Sequence, residues 1–310
     1  MISTSAPGKI ILFGEHAVVY NRPALAAPLS GLRATASIEE ATTTGAGLTI
    51  RAVDLDTTIR LQESAEHGLA LMARLVLDRL GAAEPTITVT VESAIPIAGG
   101  LGSGAAVSAA LGKALSAHLG APLDAPALSE LVYEVERFYH GTPSGIDNTV
   151  ISYEKPVYFV RGRPPEVFSL GMPVQLLVAD TGIPSPTHEA VGGVRARWQH
   201  ERDRYEALFD RIAGIVDTAR TVLEAGAVGQ LGPLMTANQH ELEAMGVSSP
   251  AIGRLVTAAR SAGSLGAKLS GGGVGGNVIA LVTAESADQV RAGLLAAGAV
   301  AVYQTTIGEG

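Results

Sequence analysis

Hydrophobic and polar positions change their period several times along the chain, and each change marks an element. Ile10 to Phe13 is an unbroken apolar run after the Pro7-Gly8 turn, which predicts a buried strand. Lys9, Glu15 and His16 bracket that run and are expected to project from its two ends rather than lie in the core. Segments near 33–39, 47–53 and 57–62 carry Thr, Ile and Val in partial alternation, which predicts further strands and hairpins. Leu69, Met72, Leu75, Val76 and Leu80 then recur at helical spacing, with Gly81 as a C-terminal cap. From Thr86 to Glu92 the alternation is clean, Ile87, Val89 and Val91 facing one way and Thr88 and Thr90 the other, so a strand leads into the next loop. Two helices follow, from about Gly104 to Leu119 and from about Ala125 to Tyr139; the second places Leu128, Leu131, Val132, Val135 and Phe138 on one face.

In the second half, strands are predicted at Val157–Val160 and Leu176–Ala179, and a helical region broken once runs from about Thr187 to Ala225. Ser249-Pro250 is a capping signal that starts a helix ending near Ala262. Strands at Ala267–Leu269, Asn277–Val282 and Ala299–Thr305, with a helix at about Ala287–Ala297, resemble a split βαβ layer. Pro164, Pro165 and Pro173 mark the best boundary, dividing the chain into residues 1–171 and 172–310.

Composition narrows the function. With 310 residues and 47% hydrophobic content, two domains can each bury a core. A net charge of -8 without clustered Lys and Arg argues against nucleic acid as a partner. The absence of cysteine excludes disulfides and thiolate chemistry, and no His spacing suits zinc. No apolar stretch is long enough to span a bilayer and no leader precedes the first strand, so a cytoplasmic protein without a membrane partner is expected.

The chemistry centres on Pro96 to Ala106, where a strand passes into a helix through a glycine-rich turn. Such a turn offers backbone N–H groups and the positive end of a helix dipole to phosphate. Gly100-Leu-Gly102-Ser-Gly-Ala105 also fits the dinucleotide pattern G-x-G-x-x-A. Against that reading, Pro96 separates strand from glycines, and the nearest acidic candidate, Asp124, follows a helix instead of a second strand.

Three stretches stand in the order and at the separations of the motifs of the GHMP small-molecule kinases: Pro7-Gly-Lys-Ile-Ile-Leu-Phe-Gly-Glu-His-Ala-Val-Val19, Pro96–Ala106, and Lys268-Leu-Ser-Gly-Gly-Gly-Val-Gly-Gly276. The first of them, with His140-Gly-Thr-Pro-Ser-Gly-Ile-Asp-Asn148, is most similar to the mevalonate-phosphorylating members of that family. The resemblance implies a two-domain α+β fold with a ferredoxin-like C-terminal domain, and a homodimer at the level of the family. It implies transfer of phosphate from ATP, with Mg2+, to the 5-hydroxyl of mevalonate. A kinase for another small alcohol, such as phosphomevalonate or homoserine, and a non-catalytic ligand binder on the same fold stand as alternatives.

Residue by residue, the resemblance gives the ATP phosphates to Pro96, Ala98, Gly99, Gly100, Leu101, Gly102, Ser103, Gly104, Ala105 and Ala106. Glu136 and Ser103 would hold the metal, Asp147 and Lys9 would be catalytic, and Glu15 and His16 would lie near the acceptor alcohol together with them. Ser270, Gly271, Gly272 and Gly273 would complete the active-site wall. These roles make chemical sense, because phosphoryl transfer needs positioning and charge neutralisation more than covalent help. A Lys9–Asp147 pair about 4 Å apart at an effective dielectric near 20 would attract by roughly 4 kcal/mol before desolvation. That pairing keeps both charged and makes the carboxylate a weak base that takes the alcohol's proton late. Three positions depart from the family pattern: Gly104 stands in place of a metal-associated Ser, Val274 interrupts a glycine run, and Asn277 stands where small or sulfur-bearing residues are common.

Overall fold

The structure is a computed structural model that describes residues 2–40, 47–64, 66–96, 99–141, 143–185 and 187–308. Ala98 and the turn residue Thr142 therefore lie outside the described residues. The chain forms two compact units, one built from Met1–Gly8, Leu32–Ile97 and Gly102–Glu154, the other from Lys9–Gly31, Ala98–Leu101 and Lys155–Gly310. The strands β1 (Ile2–Phe13) and β2 (Ala24–Glu40) each pass from one unit into the other.

In the first unit, β3 (Leu48–Ala52) and β4 (Thr57–Arg60) form an antiparallel hairpin. Strand β5 (Ile87–Ser93) runs parallel to β3 and antiparallel to residues 34–40 of β2. Its alternation is used as the pattern predicts: Ile87, Val89 and Val91 are buried. Four helices belong to this unit: α1 (Gly68–Leu80), α2 (Ser103–His118), α3 (Ala125–His140) and α4 (Ile146–Tyr153). Gly81 ends α1 in the left-handed region at φ 60°, its N–H returning to Asp78 and Leu77 carbonyls. Gly112 lets α2 approach α1, since a Cβ there would sit 2.3 Å from Met72 Cε.

The second unit holds residues 24–26 of β2 paired with β6 (Val157–Phe159), which also pairs with β7 (Glu166–Val167). Its main sheet is fully antiparallel: β11 (Ala301–Ile307), β8 (Val174–Asp180), β10 (Asn277–Val282) and β9 (Gly266–Ser270), in that spatial order. The outermost strands are the second and fourth in sequence, the ferredoxin-like split βαβ order that the strand–helix alternation suggests. Around it lie α5 (Thr187–His200), α6 (Arg202–Glu224), α7 (Leu231–Met245), α8 (Pro250–Ser261) and α9 (Ala287–Ala296). The single break falls at Glu201, and Ser249 caps α8 by accepting from the Ile252 N–H.

Several elements differ from the pattern reading. Strand β2 begins at Ala24 rather than near residue 33, because its first half is buried on both faces and shows no alternation. Helix α7 escapes the period because Asn238 and Gln239 share its buried stripe with Met235, Leu242 and Met245. Phe138 leaves the apolar face of α3: it is 47% exposed in the last turn, edge-on to Tyr139.

Candidate active site

The first unit gathers one cluster around the start of α2. Gly102 (φ 76°), and Gly100 (φ 73°) of the second unit, adopt the left-handed backbone that glycine permits. Gly102 is the N-cap, and among the described residues no side chain caps the first-turn amides of α2. Ala105 and Ala106 are buried, as is Leu101 of the second unit, and Pro96 is half-buried. Glu136, on α3, is buried, and a Cβ added to Gly104 would lie 3.7 Å from its Oε1. The buried carboxylate therefore stands beside the first turn of α2. A buried carboxylate at the N-terminal end of a helix is a donor that fits a hydrated Mg2+.

Gly145, at φ 91°, turns the chain directly into α4, and Asp147 lies half-buried in the first helical turn, where the helix dipole favours a carboxylate. Its neighbour Asn148 fixes that turn by donating to Ser129 O and Oγ on α3, at 3.2 and 2.9 Å.

The second unit gathers the other cluster. Here the sequence reading needs correction: Lys9, Glu15 and His16 do not project from the strand ends but are 5, 1 and 5% exposed. Strand β1 starts at Ile2 instead of Ile10, which places Lys9 inside it, its N–H donating to Leu101 O at 2.9 Å. Asn277 Nδ2 donates to Gly99 O, so the departure at 277 anchors the glycine turn. Gly14 (φ 98°) brings the chain so close to the next strand that a Cβ would meet Ala24 Cα at 2.5 Å.

Glu15 Oε1 pairs with Lys268 Nζ, and neither side chain has exposed surface. Lys268 Nζ also donates to Leu269 O at 2.6 Å. Burial raises the Glu15 pKa and lowers that of Lys268, while each partner's charge pulls the other back. The sequence reading assigned Lys268 no role; its only signal was a lone cation inside the apolar run Ala267 to Leu269. His16 Nε2 lies 2.9 Å from Gly272 O, and burial, followed by the smaller effect of the Arg197 charge, lowers the ring's pKa to about 4.

Ser270 Oγ donates to Ile11 O at 2.8 Å, tying the third glycine-rich segment to β1. Gly271 and Gly273 adopt φ 92° and 75°, and Val274 holds φ 64° with half its surface exposed. Among the described residues no group of three or more His, Asp or Glu side chains could hold a metal ion by itself.

The model of the GHMP kinases N terminal domain matches residues 67–155, and that of the GHMP kinases C terminal domain matches residues 219–300. The chain is 32% identical over 322 residues to the mevalonate kinase of Pyrococcus horikoshii, covering 96% of this chain and 93% of the relative. It is 33% identical over 278 residues to that of Methanothermobacter thermautotrophicus, covering 90% and 89%. Among solved structures, Methanococcus jannaschii mevalonate kinase superposes with a TM-score of 0.87 at 25% identity, covering 100% of this chain and 98% of the other. L. major mevalonate kinase in complex with R-mevalonate gives 0.83 at 28%, covering 99% and 96%. With both domain models matched and relatives aligned along nearly its whole length, the chain belongs to the GHMP kinase family.

Proposed function

We propose that this chain is a mevalonate kinase, transferring the γ-phosphoryl group of ATP to the 5-hydroxyl of mevalonate. The observation that carries this reading is likeness along almost the full length to mevalonate kinases, at 32% identity to the Pyrococcus horikoshii enzyme. The 5-hydroxyl oxygen attacks the γ-phosphorus, the bond from that phosphorus to the bridging oxygen of ADP breaks, and ADP leaves with the bonding electrons. The alcohol's proton passes late to Asp147, in the first turn of α4. Lys9 stabilises charge on the transferring group, and the amides of Ser103, Gly104 and Ala105 hold the phosphates. Glu136 and Ser103 would hold Mg2+, and the ion, when bound, would supply neutralisation of phosphate charge.

In this reading the family's two domains divide at 171/172, between the matched stretches 67–155 and 219–300. No helix among the described residues is long and apolar enough to cross a membrane. A cytoplasmic homodimer is the assembly proposed. The test of the catalytic assignment is Asp147→Asn. Its kcat is expected to fall about 10²- to 10⁴-fold while ATP binding is retained; near-normal turnover would remove Asp147 from the mechanism.

A further inference from the structure

Helix α4 is short, and a carboxylate stands at each of its ends. Asp147 lies in the first turn, and Glu154 caps the other end with φ 51° and ψ 32°. That left-handed backbone is ordinarily given to glycine or asparagine after a helix. The cap itself needs no side chain, since it is the Glu154 N–H that returns to Val150 O at 3.0 Å. A glutamate held in a strained backbone therefore points to a use for its side chain.

The carboxylate reaches two other elements of the first unit. Its Oε1 pairs with Lys113 Nζ on α2, and its Oε2 accepts from Arg33 Nη2 on β2 at 2.7 Å. Ser5 of β1 aims both cations: Arg33 Nε donates to Ser5 Oγ at 2.8 Å, and Lys113 Nζ and Arg33 Nη2 donate to Ser5 O at 3.3 and 3.4 Å. Burial works against the Glu154 charge, but Lys113 and Arg33 outweigh it and hold the carboxyl below its usual range. Glu154 is thus a carboxylate at neutral pH, with each oxygen assigned to a different cation.

The same two helices carry the parts of the candidate active site. Lys113 lies on α2, roughly 15 Å along the axis from Ser103 at the phosphate turn, and Glu154 lies about 10 Å along α4 from Asp147. Helix α4 packs against both α2 and α3. Asn148 holds its first turn to Ser129 of α3, and Glu154 holds its last turn to Lys113 of α2. A helix pinned at both ends can neither slide along its neighbours nor rotate between them.

We propose that Glu154 is a positioning residue: by pairing with Lys113 it sets the register of α4 against α2, and with it the place of the Asp147 carboxylate relative to the turn at Ser103 to Ala105. This rests on the mevalonate kinase reading, in which Asp147 takes the alcohol's proton. Placement is what such a reaction depends on, since a misplacement of about 1 Å costs about 100-fold in rate.

The experiment uses Glu154→Gly, which accepts the left-handed backbone and removes the carboxylate. Relief of backbone strain offsets the lost ion pairs, so the urea midpoint is expected to stay close to that of the wild type. With Mg-ATP and mevalonate, kcat is expected to fall about 10- to 100-fold while the KM for ATP changes by less than about twofold, because the phosphate turn is untouched. Lys113→Met, which removes the partner on α2, is expected to show the same split. Glu154→Gln, which keeps one acceptor oxygen, is expected to give a kcat between those of the wild type and Glu154→Gly. An unchanged kcat in Glu154→Gly, a loss of activity in proportion to a loss of folded protein, or a Glu154→Gln no better than Glu154→Gly overturns the proposal. Should Glu154→Gly not fold, Lys113→Met decides by the same readouts. Failure of the wild type to phosphorylate mevalonate, or near-normal turnover by Asp147→Asn, would be the failure of the underlying reading, seen without any Glu154 variant.

Discussion

Among the described residues, a methyl group placed on Gly104 would have Glu136 Oε1 as its close neighbour, at 3.7 Å, and on Gly100 Asn277 Nδ2, at 3.9 Å. The same methyl on Gly273 or Gly275 would be forced to 2.1 Å from Val247 O or 2.4 Å from Ile183 O. One glycine-rich segment is open, its backbone left bare at a helix N-terminus. The other is closed, its glycines required because neighbouring backbone runs against them: Val274 N–H donates to Val247 O at 2.7 Å and Gly276 N–H to Ile183 O at 2.9 Å. Similar compositions therefore leave backbone uncrowded in one place and close-packed in the other. The closed segment also carries the carbonyl that fixes the His16 ring and follows directly on Lys268, so its rigidity holds the polar groups of its own unit.

Breaking the closed region at its buried charge should have the largest effect. Lys268→Met leaves Glu15 ionisable, buried and without its cation, and is expected to cost about 3–5 kcal/mol in urea unfolding. Adding Glu15→Gln should recover much of that loss; no recovery would mean that packing, not charge, is what Lys268 supplies. Next comes pH. The folded His16 pKa of about 4 lies below the unfolded value of 6.5, so the unfolded chain binds the extra proton first. Stability should be full above pH 6.5 and fall as pH drops toward 4, by roughly 3 kcal/mol in all. Urea midpoints of the wild type and His16→Asn at pH 7 and 4.5 test this, and equal slopes in the two would refute it.

Gly273→Ala is expected to destabilise by about 2–3 kcal/mol, since overpacking against backbone adds to a strained φ. Gly104→Ser, in the open segment, should change stability by no more than about 0.5 kcal/mol. It should instead tighten Mg-ATP binding by placing a hydroxyl beside Glu136. Similar losses for the Gly273 and Gly104 variants would erase the distinction between the segments.

How much of this the sequence carried follows from the same distinction. Local signals were readable: the alternation of Ile87, Val89 and Val91, the Ser249 cap and the Gly81 stop each depend on neighbours in the chain. The split βαβ layer followed from the order of its elements. What stayed hidden depends on distant partners. Lys268 meets Glu15 across most of the chain length, and Gly273 and Gly104 look alike until Val247 and Glu136 are known. The first half of β2 and helix α7 were missed because full burial, or buried polar side chains, removes the periodic contrast on which pattern reading rests.

Incubation of the purified protein with Mg-ATP and R-mevalonate, following ADP by coupled assay and the product by ³¹P NMR, tests the central claim directly. The account predicts one ADP per mevalonate consumed and a new phosphomonoester on the 5-oxygen. ADP release with phosphomevalonate or homoserine but not with mevalonate, or binding of ATP and mevalonate without any ADP, would contradict it.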